Sequence, residues 1–242
     1  MAKEIEVKTE SFEPKTISFA GVERGDIVYY IAKLLAADGK SVLCIDNSKR
    51  NDLMTSIRND YTDKETKETR LSSTYVNDIR YYGSITYTSN KKKSERAFKR
   101  FDYTVVYHGP DIDKDIWNTS DLRFVMENSD LFDRTDLSAA IKDLDMKAYP
   151  IIALYVDVFY GKIKEQDLEY TLINKEEGEE LIDSISLSFD PDDITARQAF
   201  QYNGIQKVSA LSAPMKEFLL AAYEKVTGSK PAKEKKLIAD AN

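Results

Sequence analysis

Only one cysteine and one histidine occur in the chain, and these two scarcities exclude whole classes of chemistry. Cys44 has no second thiol to bridge within the chain. It lies in the apolar run SVLCID and reads as a small buried hydrophobe, not as a reactive thiol. Cys44 and His108 together are too few for a Cys/His zinc cluster or for a catalytic constellation that needs a second histidine, while carboxylate metal sites stay open. No apolar run is long enough to span a bilayer, and MAKEIEVKTE carries no signal-peptide pattern, so a cytoplasmic protein is expected. Positive charge is also in short supply. Lys and Arg number 35 against 42 Asp and Glu, for a net charge of -7, so any contact with nucleic acid must be local.

What the chain does have is alternation. With 42% hydrophobic residues in 242, it can bury the core of one large α/β domain. KTISFAG (15–21) reads as a strand. Ile27, Val28, Ile31, Leu34 and Leu35 then recur at helical spacing, with Asp26 placed to cap the helix and Gly39 to end it. SVLCID (41–46) follows as a second buried strand, completing a parallel βαβ unit with a right-handed crossover. NDYTDKETKETR (59–70) reads as an exposed excursion, SITYTS (84–89) as a short strand, and NKKKSERAFKRF (90–101) as a basic helix. YTVVY (103–107), LRFVME (122–127), PIIALYVDVFY (150–160) and IDSISLSFD (182–190) read as further strands. Helices are expected at 136–145, 192–203 and 213–228. The expected fold is therefore α/β, a doubly wound and mostly parallel sheet flanked by helices, forming a single domain over 1–228 with a flexible tail over 229–242.

Three stretches carry a family resemblance. YIAKLLAADGKSVLCIDNS (30–48), FDYTVVYHGP (101–110) and SFDPDDITARQAFQYNG (188–204) stand in the order of the helix and second strand, the Walker B strand and switch, and the nucleotide-base loop of one family. The chain resembles the MinD/ParA family of deviant-Walker P-loop ATPases, and within it the TadZ/CpaE-like branch. The resemblance implies a phosphate-binding loop near FAGVERGD, residues 19–26.

Carrying that loop across without a gap puts the family's signature lysine at Phe19 and its glycines at Ala20, Gly21 and Glu23. It puts the Walker lysine at Arg24, the magnesium-binding Ser or Thr at Gly25, and the next position, usually Thr, at Asp26. Gly21 alone fits. Glu23 would bring a carboxylate toward polyphosphate, Arg24 is a planar fork in place of a compact ammonium, and Gly25 has no hydroxyl for magnesium. Tyr107 stands at the Walker B aspartate, and Asp46 is retained in the first switch but followed at 48 by a serine. Gly21, Glu23, Arg24, Gly25, Asp26 and Asp46 are thus read as vestigial nucleotide-site positions, with no catalytic residue and no metal ligand assigned. GVERGD is favoured as a tight βα turn over a site for a different anion.

The remaining features are weaker. Lys92, Arg96, Lys99 and Arg100 share one helical face that could meet a polyanion or an acidic partner, although a solvated helix is the plainer reading. His108 lies at the carboxyl end of its strand without a sequence neighbour to make it a base. Tyr29, Tyr30, Tyr81 and Tyr82 could build a protein contact or fill the core. The apolar stripe at Leu237 and Ile238 is too narrow for an interfacial membrane helix. The expectation is a non-hydrolytic scaffold with protein partners, a homodimer through the 21–26 face with Arg24 reaching Glu23 of the other copy, and no cofactor. Two readings stand beside it: a weak ATPase switch using ATP or ADP with magnesium, and a DNA-binding partition-type protein.

Overall fold

The computed structural model describes residues 13–50, 53, 56, 74–76, 79–83, 99–141, 144, 151–158, 183–203 and 207–241. Its strands are β1 (Lys15–Gly21), β2 (Val42–Asp46), β3 (Thr74–Val76), β4 (Ile79–Gly83), β5 (Tyr103–Gly109), β6 (Leu122–Glu127), β7 (Ile151–Val158) and β8 (Asp183–Ser188). Its helices are α1 (Gly25–Ala37), α2 (Lys114–Thr119), α3 (Leu131–Ile141), α4 (Pro191–Asn203), α5 (Ala213–Thr227) and α6 (Glu234–Asp240). The strands form one sheet in the order β3-β4-β2-β5-β1-β6-β7-β8. Every neighbouring pair is parallel except β3 with β4 at one edge. This is the doubly wound, mostly parallel architecture the sequence predicts.

The apolar runs sit between two helical layers, and strict alternation sorts their residues. Ile17, Phe19, Val105, Tyr107, Phe124, Met126, Ile152 and Leu154 face the cluster built with α1, α5 and α6. Ala20, Val125, Ile151, Ala153 and Tyr155 face the cluster that holds Trp117, Leu137 and Ile141. Residues 25–35 of α1 are buried throughout, because the helix packs on the sheet and under α5 and α6. Tyr29 and Tyr30 belong to this core, against Phe200 of α4, and so are not a surface contact. Tyr81 and Tyr82 lie in β4.

Several boundaries differ from expectation. The strand at 103–107 runs on through His108 to Gly109. The helix expected at 136–145 begins at Leu131, because Asp130 accepts from the Asp133 N–H and supplies a start the apolar spacing did not mark. Short α2 is started by Asp113, whose carboxylate accepts from the N–H groups of Asp115 and Ile116. Segment 229–242, expected as a flexible tail, carries α6, with Leu237 and Ala241 buried against the main core. The stretches 59–70 and 84–89 lie outside the described residues.

The winding fixes where a site can form. The chain runs from β1 outward to β2 and β4, returns through β5 beside β1, and continues on the other side through β6, β7 and β8. The carboxyl ends around β1 are therefore the topological switch point, where loops diverge and leave a crevice.

Candidate functional site

A cleft of about 430 Å³ occupies that crevice. Gly21, Val22, Glu23 and Arg24 line it from the end of β1, and Arg50, Pro110, Asn128 and Asp157 from the ends of other strands. Asp133, Asp136 and Leu137 of α3 and Arg197 of α4 close its sides.

Gly21 holds the floor for a steric reason. Its φ is 109°, and an added Cβ would come within 2.0 Å of the Met126 carbonyl oxygen. That carbonyl also accepts from the Val22 N–H at 3.0 Å, so the backbone leaves β1 pressed against β6. Only glycine permits both the approach and the left-handed turn.

The next residues form a buried ion cluster. Arg24 is 2% exposed, and its Nε and Nη2 donate to the two oxygens of Asp26, each at 2.9 Å. Its Nη1 donates to Oδ2 of Asp157 at 2.7 Å. Burial works against the charge on Arg24, but the Asp26 and Asp157 carboxylates outweigh it and raise its pKa. Burial likewise opposes the Asp26 carboxylate, and the Arg24 guanidinium holds its pKa below the ordinary value. Asp26, expected as the helix cap, lies one residue inside α1. The N-cap position is Arg24, whose guanidinium has no acceptor to offer the first-turn N–H groups and instead donates to the Asp26 carboxylate. Within one chain both members of the expected Arg24–Glu23 contact between copies already have partners. The Arg24 nitrogens serve carboxylates of its own chain, and Glu23 pairs with Arg50 at 2.8 Å.

Arg197 joins from α4. Its Nη2 donates to the Glu23 carbonyl at 2.7 Å, and its Nη1 lies 4.0 Å from Asp157 Oδ2. On the opposite wall, the fully buried Glu127 accepts from Arg134 Nε at 2.8 Å, and Asn128 donates to Asp133 at 2.6 Å.

The other predicted positions are placed as follows. Gly25 begins α1. Asp46 ends β2, and its Oδ1 accepts from the backbone N–H and the hydroxyl of Ser48, at 3.0 and 2.6 Å. It is absent from the cleft lining. Phe19 stacks on Phe124 with ring centroids 4.7 Å apart, and Tyr107 is buried in the same core. Lys99 and Arg100 are exposed in a turn, while Lys92 and Arg96 lie outside the described residues. Asp157, Arg197 and Arg50 were not singled out from sequence. A lone carboxylate at the end of the apolar run IIALYVDV was the available signal for Asp157, since ligands of open α/β sheets gather at such ends.

His108 belongs to a separate polar line on the α2 face. Its Nδ1 accepts from the Asp113 N–H at 3.3 Å and meets Asn47 Nδ2 at 3.5 Å. The Nε2 therefore carries the proton and donates to Ser18 Oγ at 3.1 Å. Ser18 in turn donates to Ser120, at 2.7 Å, and Ser120 to the Ile116 carbonyl at 2.9 Å. Burial pushes the His108 pKa down to about 4, with Asp113 opposing weakly. The ring is neutral at pH 7 and serves the packing of α2 on β1.

Among the described residues, no helix is long and apolar enough to cross a membrane. No protein-family model and no curated protein matches the sequence. Solved structures do match its fold. A MinD chain from the MinC:MinD cell division protein complex of Aquifex aeolicus superposes with TM-score 0.58 at 17% identity, covering 90% of this chain and 98% of that one. A ParA family ATPase from Chlorobium tepidum gives 0.55 at 15% identity, covering 96% and 98%. The Cyanothece McdA(D38A)-ATP complex gives 0.54 at 13% identity, covering 91% and 99%. At these identities the likeness is one of fold: the chain has the MinD/ParA P-loop NTPase-like architecture.

Proposed function

We propose that this chain is a non-hydrolytic, MinD/ParA-like binding or scaffolding protein, which positions or assembles a larger cellular machine such as a pilus or secretion apparatus. The observation that carries the reading is the Arg24 cluster. At the head of α1, where a P-loop protein gathers phosphate, the buried Arg24 is already neutralised by Asp26 and Asp157. The residues present do not fit a magnesium triphosphate. Gly25 brings no hydroxyl, the Oδ1 of Asp46 is taken up by Ser48, and among the described residues Glu23, Asp133, Asp136 and Asp157 give the cleft four carboxylates against three guanidinium groups. Phosphoryl transfer depends on positioning and charge stabilisation, and here both are directed inward.

Protein partners suit what remains. A MinD chain of like fold was solved in complex with MinC, and a charged, walled cleft beside an exposed Glu23–Arg50 pair offers a specific contact surface. A homodimer through the 21–26 face would rest on that exposed pair and not on Arg24. The test is calorimetric titration with ATP and magnesium, with the same sample followed by light scattering. The reading expects no heat at millimolar nucleotide and an unchanged mass. Heat at micromolar affinity with a nucleotide-dependent shift to dimer would overturn it in favour of a switch.

A further inference from the structure

Among the described residues, Asp157 is the one non-glycine residue with positive φ, at 55°. It stands where the register of β7 against β8 slips, between Tyr155 and Val158. Aspartate tolerates the left-handed region better than most residues, yet the conformation still needs its surroundings to hold it. Those surroundings are two guanidinium groups: a single carboxylate oxygen meets Arg24 at 2.7 Å and Arg197 at 4.0 Å. Asp157 is 25% exposed and lies on the cleft wall, so the contact can be reached from solvent. Arg24 would keep its two bonds to Asp26 if Asp157 withdrew, so the fold does not depend on this carboxylate alone.

We propose that Asp157 masks a carboxylate-binding site made by Arg24 and Arg197, and that the ligand is an acidic side chain of a protein partner. The inference rests on the reading of the cleft as a protein-contact site closed to nucleotide. Guanidinium forks match a carboxylate in shape and charge, and the internal occupant is itself a carboxylate. A polyphosphate suits the place less well, because its several charges would each meet Glu23, Asp133 and Asp136 on the same walls. Asp157 thus sets a threshold: a partner engages the arginines only by displacing it.

The test uses the full chain and Asp157→Asn, which keeps a residue tolerant of the left-handed backbone and removes the charge. Asp157→Gly, which adopts this φ freely, serves as the second variant should the first fold poorly. A peptide carrying one glutamate between neutral residues is titrated against each protein, following the arginine Nε–H signals by NMR. Binding at least tenfold tighter in the variants, lost again when Arg197→Gln is added, is expected. Equal weak binding to all forms overturns the masking and leaves the proposed function standing. A comparable gain in Asp136→Asn also overturns it, since Asp136 shares the cleft without contacting either arginine among the described residues. A gain confined to pyrophosphate overturns the choice of ligand, whereas micromolar binding of ATP with magnesium by the unaltered chain overturns the proposed function itself.

Discussion

Arg24 and Asp157 are 133 residues apart in the chain and 2.7 Å apart in the fold, donor to acceptor, inside the crevice at the sheet's switch point. The contact joins the head of α1 to the end of β7. It commits the cluster's cation to the protein's own charge balance.

Removing that cation should therefore cost stability. Arg24→Met leaves Asp26 buried without its counter-charge, and a broken buried pair typically costs about 3–5 kcal/mol. The double variant Arg24→Met, Asp26→Leu should regain most of that loss, because apolar replacement of a whole buried pair is often close to neutral. Urea denaturation of the two variants checks this. A small loss in the single variant would mean that Asp26 finds water or protonates at little cost.

Gly21 and Gly39 should respond very differently to alanine. At Gly21 the new methyl meets a carbonyl oxygen and the backbone is left-handed, so strain and overpacking together should cost about 3–5 kcal/mol. At Gly39, with φ of 78°, nothing lies within 4 Å of the added atom, and only the conformational cost of about 1–2 kcal/mol remains. Thermal melts of both variants measure the contrast.

His108 makes stability depend on pH in a defined window. Its folded pKa of about 4 lies below the ordinary 6.5, so between these values the unfolded chain binds more protons than the folded one. Its contribution is complete above the unfolded value and is lost as pH falls toward the folded one. The full shift corresponds to about 3 kcal/mol. Denaturation at pH 7 and pH 4.5 should show a smaller fall for His108→Gln than for the unaltered chain, whatever the carboxylates contribute to both.

Leu237 tests the docking of α6. Its side chain is 5% exposed in the cluster that includes α1, and a buried Leu→Ala change typically costs about 2–5 kcal/mol. A loss below about 0.5 kcal/mol, the range of surface substitutions, would return 229–242 to the status of a free tail.

The central strands were legible because they are buried on both faces, whereas β3 and β4 were not read from the sequence. Runs such as SFAG, VLCID, TVVY and RFVME declare themselves through continuous apolar content, and Gly39 marks a helix end through its left-handed φ. The cluster was only half legible. Arg24 and Asp26 stand two residues apart, but their pairing depends on a rotamer, and Asp157 and Arg197 meet them only through the order of strands across the sheet. Asp26 next to a helix start reads as a cap until a buried guanidinium competes for it. Tyr29 and Tyr30 gave no sign of their burial, since α1 is covered all round and buries positions on and off its apolar stripe alike.

The strand order also governs when the protein can form during synthesis. β1 and β2 flank α1 in sequence, yet neither bonds to the other; β5 lies between them and bonds to both. A nascent chain that has emerged only through β2 can make α1 but has no partner for either strand. The central ladder waits for residues 103–109, and the second neighbour of β1 for 122–127. The chain must leave the ribosome through Arg197 before the crevice has all its walls, so the head of α1 should reach its final surroundings late.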